Sequence, residues 1–171
     1  MAKSEIIDIG GGMYRKNVGI VLWRADGKVL FCRRLRLKNE LYIGHDWQFP
    51  QGGLDEGEDA KGAALRELAE ETGVKSVGRV HEDSEWLSYD FPFEYVRDGI
   101  KLAGQAQKWF LMEFVGEEDE IAIPSEEFVE YKWVPLSYDM ADKVVQFKQA
   151  VYRKMLGKFI PVLAEFTGKR I

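Results

Sequence analysis

The chain has 171 residues, the size of one domain with short tails at most. Its composition is 46% hydrophobic and 13% aromatic, which suits a buried core and excludes a disordered chain. The net charge of −5 argues against a protein that coats nucleic acid, so no DNA partner is expected.

Several classes of protein are disfavoured by simple sequence features. No apolar run approaches the roughly 20 residues that a membrane span needs, so no membrane partner is expected. Glu5 and Asp8 lie where a signal peptide would need an apolar stretch. The single cysteine, Cys32, excludes an intrachain disulfide and a four-cysteine zinc site. Together these features predict a cytoplasmic protein.

The first part of the chain predicts an arm, a hairpin and a loop. Residues 1–13 end in three consecutive glycines and are expected to form a flexible N-terminal arm ahead of one domain over 14–165. Apolar runs at 18–23 and 28–32 flank an Asp-Gly turn signal, which predicts a β-hairpin. Residues 35–46 are rich in polar side chains and predict a surface loop.

The remaining chain alternates predicted strands with two helices. Residues 59–72 give the clearest helical pattern, and Gly73 supplies a stop. A short strand running into a glycine turn is predicted at 47–53, and further strands are predicted at 85–89, 107–115 and 131–134. A closing helix is predicted over 144–163, kinked or ended by Pro161, with a C-terminal tail at 166–171. This order predicts the α/β class, with strands and helices in a mixed sandwich.

The helix at 59–72 carries an acidic face. Glu67, Glu70 and Glu71 fall within roughly 100° of arc. Glu67 and Glu71 repel one another at i,i+4, and the helix dipole disfavours acids in the last turns. A divalent ion between the carboxylates would reverse both penalties, and hard oxygen ligands suit Mg²⁺ or Mn²⁺. The alternative is a solvated acidic face with Arg66 as its internal partner.

The spacing of these glutamates from a glycine loop is specific. Gly is followed after five residues by Glu, and after seven more by Arg-Glu, an aliphatic residue, any residue, Glu-Glu, any residue, Gly and an aliphatic residue. The matched residues are Gly52, Glu58, Arg66, Glu67, Leu68, Glu70, Glu71, Gly73 and Val74. This segment resembles the signature of the Nudix hydrolases at every specified position.

The resemblance implies a fold, an activity and a metal site. Nudix proteins fold as an α/β/α sandwich with a mixed sheet between helices, and they cleave nucleoside diphosphates linked to another group. The implied ligands for Mg²⁺, with Mn²⁺ as the alternative, are the Gly52 carbonyl and the carboxylates of Glu67, Glu70 and Glu71. Glu58 and Arg66 are implied to brace the loop and orient these carboxylates.

Sequence blocks outside the signature resemble one branch of the family, the RNA pyrophosphohydrolases and plant-type diadenosine tetraphosphate hydrolases. These blocks include 14–20, 47–53 and 104–110. In that branch a glutamate before a phenylalanine supplies a further metal ligand or a general base, which implies Glu127. The adjacent Glu126 is the alternative, because an alignment slip of one residue exchanges the two.

The same resemblance implies a substrate site of basic and aromatic side chains. Four basic residues match positions that could hold a polyphosphate: Arg15, Arg34, Lys108 and Lys148. Phe147 matches an aromatic position suited to stacking on a base, and Tyr89 is a second candidate. Core packing is the alternative role for Phe147, since it shares helical spacing with apolar neighbours.

The predicted reaction is metal-dependent hydrolysis of a phosphoanhydride, with Glu70, Glu71 and Glu127 as the catalytic carboxylates. The leading substrate is 5′-triphosphorylated RNA, losing pyrophosphate. The alternative is asymmetric hydrolysis of diadenosine tetraphosphate to ATP and AMP. A third hypothesis, a catalytically silent binding module, is disfavoured because all three helix glutamates are present. The loop at 35–46 is longer than is usual in the bacterial members and could border the substrate cleft.

Overall fold

The computed structural model describes residues 3–35 and 39–168. The strands of this part are β1 (Ile6–Ile9), β2 (Gly12–Trp23), β3 (Lys28–Arg34), β4 (Trp47–Gln48), β5 (Gln51–Gly53), β6 (Val77–Asp90), β7 (Val96–Arg97), β8 (Ile100–Lys101), β9 (Gly104–Phe114) and β10 (Phe128–Pro135). The α-helices are α1 (Ala60–Thr72) and α2 (Gln149–Thr167), and short 3₁₀ segments include Glu40–Tyr42 and Gln146–Lys148.

A mixed sheet forms the centre of the molecule, in the order β10-β3-β2-β9-β6. β2 and β9 run parallel, and their other partners in this order run antiparallel. Alternating side chains bury opposite faces, so Trp109 packs with Tyr152 of α2 while Phe110 packs with Leu68 of α1. The predicted α/β/α sandwich is therefore confirmed.

The sheet divides into two branches next to the glycine loop. β2 and β3 pair at Trp23 and Val29, and beyond this pair β4 joins β3 while β5 joins β2. Gly52 pairs with Val18 of β2, and a Cβ at position 52 would point at Glu67 of α1. The short strand and glycine turn predicted at 47–53 are thus two short strands, β4 and β5, separated by Phe49 and Pro50.

Helix α1 has the bounds that its end signals predict. Asp59 caps the N-terminus by accepting a hydrogen bond from the Gly62 N–H at 2.6 Å. Gly73 ends the helix in the left-handed conformation, at φ +82°. Ala63, Ala64 and Leu68 are fully buried, which fixes the rotation of the helix about its axis and turns the glutamates toward the loop.

The N-terminal segment differs from the expected flexible arm. Within residues 3–13, β1 pairs antiparallel with β2. Gly10 and Gly11 form the connecting turn at positive φ, and the Gly11 N–H donates to the Asp8 carboxylate. The glycine run is thus the turn of a hairpin, and the folded domain begins ahead of residue 14.

The closing helix also differs at both ends. Residues 146–148 form a 3₁₀ segment and α2 begins at Gln149, later than the predicted 144. Pro161 does not end the helix, which continues to Thr167. Pro161 and Gly157 are both exposed, so water can satisfy the Gly157 carbonyl that loses its helical partner. Of the predicted tail at 166–171, residues 169–171 lie outside the described residues.

The described ranges contain no helix that is both long enough and apolar enough to cross a membrane.

Candidate functional site

Arg66 connects the glycine loop to α1 through its hydrogen bonds. Its Nε and Nη2 donate to the two carboxylate oxygens of Glu58, each at 2.8 Å. Nη2 also donates to the Gly53 carbonyl at 3.0 Å. The bidentate guanidinium holds the pKa of Glu58 below its ordinary value. This network ties the strand before the loop to the helix after it, the geometry expected of a bracing pair.

Two of the predicted metal ligands turn toward the same guanidinium. Arg66 Nη1 donates to Glu67 Oε1 at 2.9 Å and to Glu70 Oε2 at 3.3 Å. The Glu67 side chain is 13% exposed, whereas that of Glu70 is 59% exposed. Burial raises the pKa of Glu67, with Arg66 opposing it. Arg66 thus acts as the internal cation of the acidic face.

Gly52 is required by the close approach of β5 to α1. A Cβ on Gly52 would lie 2.0 Å from Glu67 Cδ, well inside any allowed contact. Only glycine therefore lets the carboxylate of Glu67 reach the backbone of the loop at this point. The Glu67 carboxylate thus occupies the space that a side chain at position 52 would fill, and the role of Gly52 and Glu67 as metal ligands stays a prediction.

Glu71 is the most buried of the helix glutamates. Burial raises its pKa well above the ordinary value, and the charges of Glu127 and Glu67 raise it further. The Gln51 N–H donates to Glu71 Oε2 at 3.3 Å. Glu127 is half-buried at the start of β10, while Glu126 is exposed. Of the two alternatives for the late carboxylate, Glu127 is the one whose charge acts on Glu71, and its role stays a prediction.

The donor set fits a divalent cation of the Mg²⁺ type. The side chains offer hard carboxylate oxygens, next to the Gly52 backbone. Glu71 and Glu67 are buried acids whose mutual charge raises the pKa of Glu71, a strain that a cation would relieve. Among the described residues, no three acids converge on one point as they lie here. Glu67 and Glu70 would have to turn from Arg66 to do so.

Lys148 and Arg34 are two neighbouring basic side chains, and Lys148 also lies near Glu71 and Glu127. Lys148 is 3% exposed, and burial with the charge of Arg34 lowers its pKa to about 7 while Glu127 and Glu71 oppose the shift. Arg34 Nη1 donates to Gln48 Oε1 at 3.0 Å and to the Tyr42 hydroxyl at 3.3 Å. These contacts fix Arg34, whereas Lys148 is held by burial next to the Tyr89 and Phe147 rings, each 6.0 Å from its Nζ.

The loop at 35–46 borders a cleft beside Arg34. Residues 36–38 of this loop lie outside the described residues. The cleft has a volume of about 470 Å³ and is lined by residues that include Arg34, Tyr42, Ile43 and Val129. Arg34 lies over the Tyr42 ring at 4.4 Å from its centroid. The loop therefore reaches the predicted substrate side of the molecule.

Phe147 lies in an aromatic cluster next to Lys148. Its ring centroid is 5.7 Å from Tyr89, 5.9 Å from Phe93 and 6.4 Å from Tyr42. Phe147 is half-buried, so it packs on the core and keeps an exposed part. Tyr89 is only 6% exposed and donates its hydroxyl to Gln105, which leaves it little surface for a base. Tyr89 therefore packs against the Phe147 ring.

The two other basic candidates lie in different surroundings. Arg15 is half-buried and feels the charges of Glu67 and Asp55, so it belongs to the same group as the helix glutamates. Lys108 forms an ion pair with Glu82 at 2.8 Å and lies 5.6 Å from the Trp86 ring centroid. The structure thus engages Lys108 elsewhere, and its role toward a polyphosphate stays a prediction that requires breaking this pair.

Sequence reasoning missed three participants in the site. Gln51 donates its backbone N–H to Glu71, Tyr42 contacts Arg34 and Phe147, and Arg97 lies close to Arg15. Gln51 directly precedes Gly52, so its position was a usable signal. Tyr42 lies in a short 3₁₀ segment and Arg97 in the two-residue strand β7, and the placement of both depends on long-range contacts that no local pattern marks.

Comparison with known proteins gives consistent results. A model of the NUDIX domain matches residues 13–155. An RNA pyrophosphohydrolase of Bartonella bacilliformis is 44% identical over 156 residues, covering 85% of this chain and 91% of that protein. Nudix hydrolase 27, chloroplastic, of Arabidopsis thaliana is 42% identical over 163 residues, covering 89% of this chain and 68% of that protein.

Solved structures with the same fold include a C. elegans Ap4A hydrolase in a binary complex. It matches with a TM-score of 0.60 and 24% identity, over 87% of this chain and 98% of that chain. The sandwich is thus a known fold.

Proposed function

Because this chain belongs to the Nudix family of hydrolases, we propose that it removes pyrophosphate from the 5′ end of triphosphorylated RNA. The observation that carries the proposal is the grouping of Glu71 and Glu127 beside Lys148 and Phe147. The acids would hold the metal ion at the reacting phosphate, Lys148 would bind the polyphosphate, and the Phe147 ring would stack on the first base. The relative from Bartonella bacilliformis, which is named an RNA pyrophosphohydrolase, supports this choice of substrate.

Nudix hydrolases generally depend on a divalent metal ion, and for this chain the proposed ion is Mg²⁺. Gly52, Glu67, Glu70, Glu71 and Glu127 are the residues that would hold it. When bound, such an ion neutralises phosphate charge and makes a water molecule a better nucleophile. Mn²⁺ has the same preference for oxygen ligands and is expected to substitute.

The chain's own residues then divide the remaining work. Glu127 accepts the proton of the attacking water, since it lies beside Glu71 and is only half-buried. Arg34 and Lys148 hold phosphate oxygens, Arg34 through its fork and Lys148 as a point charge. Phe147 stacks on a base, an interaction worth about 1–3 kcal/mol that tolerates different bases. This tolerance suits RNA ends of varied sequence.

The test is a competition between triphosphorylated RNA and diadenosine tetraphosphate in the presence of Mg²⁺. The proposal predicts a higher kcat/KM for the RNA, with pyrophosphate among the products. A higher kcat/KM for the dinucleotide would replace the proposal with asymmetric hydrolysis to ATP and AMP. Cleavage of neither substrate, with Mn²⁺ also tried, would refute both.

A cytoplasmic location stays a prediction of the sequence.

A further inference from the structure

Two guanidinium groups lie close together beside the glycine loop. Arg15 extends from β2 and its guanidinium packs on Gly53, where a Cβ would lie 2.2 Å from Arg15 Cζ. Arg97, in β7, reaches the same loop through Ser4, which pairs with Asp55, and its charge contributes with burial to a lowered pKa of Arg15. Like charges repel, so this proximity has to be stabilised by other groups.

The N-terminal segment fixes Arg97 in this position. Arg97 Nε donates to Ser4 Oγ at 2.8 Å, and Nη1 donates to the Tyr95 hydroxyl at 3.4 Å. The Ser4 N–H in turn donates to Asp98 Oδ2 at 3.2 Å, and Ser4 bridges to Asp55 of the glycine loop. The β7–β8 hairpin is thereby tied to the loop through residues that precede β1.

The pair retains capacity to bind an anion. Arg15 Nε is buried and has no hydrogen-bond partner in the described part of the chain. Within the same ranges, no hydrogen bond from Arg97 Nη2 is found beside the two that fix its Nε and Nη1. Glu67 and Asp55 supply partial counter-charge to Arg15. An anion that accepts from both guanidiniums would satisfy these donors and remove the repulsion.

We propose that Arg97 and Arg15 form a subsite for a terminal phosphate group of the substrate, with Arg97 carried by the β7–β8 hairpin. The inference rests on the proposed function, because it assigns a place to the far end of the polyphosphate. Arg15 lies next to Glu67, so this phosphate would be held just beyond the carboxylates of α1. The pair would distinguish a 5′-triphosphate from a 5′-monophosphate.

The test measures binding to the full-length protein with Mg²⁺ by calorimetry. The probes are an ATP analogue with a methylene bridge between the α- and β-phosphates, which the proposed cleavage cannot break, and AMP. Loss of one charge-assisted fork predicts that Arg97→Ala weakens binding of the analogue about tenfold or more, with AMP affinity unchanged. Arg97→Lys keeps the charge and loses the fork, and should give an intermediate loss.

Lys101→Ala is the matched control, since Lys101 lies on the same hairpin with a side chain that is 71% exposed and paired with Glu94. Thermal unfolding of each variant checks the fold, because Arg97 also bonds Ser4. The proposal is overturned if Arg97→Ala binds the analogue normally, if the control loses as much, or if AMP binding falls equally. It is also overturned if the wild type binds the analogue no more tightly than AMP.

Two results distinguish a failure of the phosphate subsite from a failure of the proposed function. If the analogue binds through Arg97 while triphosphorylated RNA is not hydrolysed, the phosphate subsite stands and the RNA substrate is rejected. If RNA is hydrolysed and Arg97→Ala changes neither binding nor KM, the function stands and the subsite is rejected.

Discussion

The chemistry of the site depends on which of two adjacent glutamates lies against Glu71. Glu127 raises the pKa of Glu71 and opposes the lowering of the pKa of Lys148, so it belongs to the row of acids. Glu126 is exposed, whereas Glu127 is half-buried. The sequence could not separate these two residues, because they are adjacent glutamates directly before β10 and differ in burial, which depends on long-range packing.

The first prediction compares the two isosteric variants. Glu127→Gln removes the proton acceptor and should lower kcat on triphosphorylated RNA about 100-fold. Glu126→Gln, one residue away and exposed, should leave kcat within about twofold. Steady-state rates at saturating Mg²⁺ measure both. Equal effects of the two substitutions would remove Glu127 from its assigned role.

At the scale of the elements, the critical contact is the one between β5 and α1. The glycine at position 52 admits the Glu67 carboxylate, and Arg66 joins the two elements through Glu58 and Gly53. The contact follows from the fork between β2 and β3, which leaves room for β5. The site is therefore built where one strand ends its pairing with another.

The second prediction places a methyl group at this contact. Gly52→Ala would put Cβ 2.0 Å from Glu67 Cδ, so the glutamate must turn away. A strong loss of kcat is expected, together with a lower affinity for Mg²⁺, measurable by titration of the rate. Activity equal to that of the wild type would show that Glu67 need not contact the loop.

Gly157→Ala is the control for this substitution. Gly157 lies within α2, and a Cβ there meets no atom within 4 Å. Replacing an exposed helical glycine by alanine should raise the free energy of unfolding by about 0.5–1 kcal/mol and leave kcat unchanged. Chemical denaturation measures the first quantity.

The sequence predicted α1 and its ends because the capping signals at Asp59 and Gly73 are local. It also predicted most strands, although β6 and β9 extend further than their apolar runs. It failed at β1 and at the start of α2. A glycine run fits either a flexible arm or a hairpin turn, and only the pairing of β1 with β2 selects the turn. Such pairing is a long-range interaction that local patterns do not encode.

On the scale of the whole molecule, the sheet separates two apolar layers and leaves the polar site at one end. The α1 layer carries the carboxylates, whereas the start of α2 carries Phe147 and Lys148. The two layers meet where Glu71 and Glu127 approach Lys148. A resemblance in sequence could assign candidate roles here. It could not show that Lys108 pairs with Glu82 while Arg97 approaches Arg15.

The most direct test of the account is the rate of pyrophosphate release from triphosphorylated RNA by Glu71→Gln and by the wild type, with Mg²⁺. A glutamine retains an oxygen that can accept from the Gln51 N–H, so the fold should persist and thermal unfolding should confirm it. The account predicts that kcat falls about 100-fold or more, because the variant loses a charged metal ligand. A folded variant with the turnover of the wild type would contradict the metal site and the mechanism built on it.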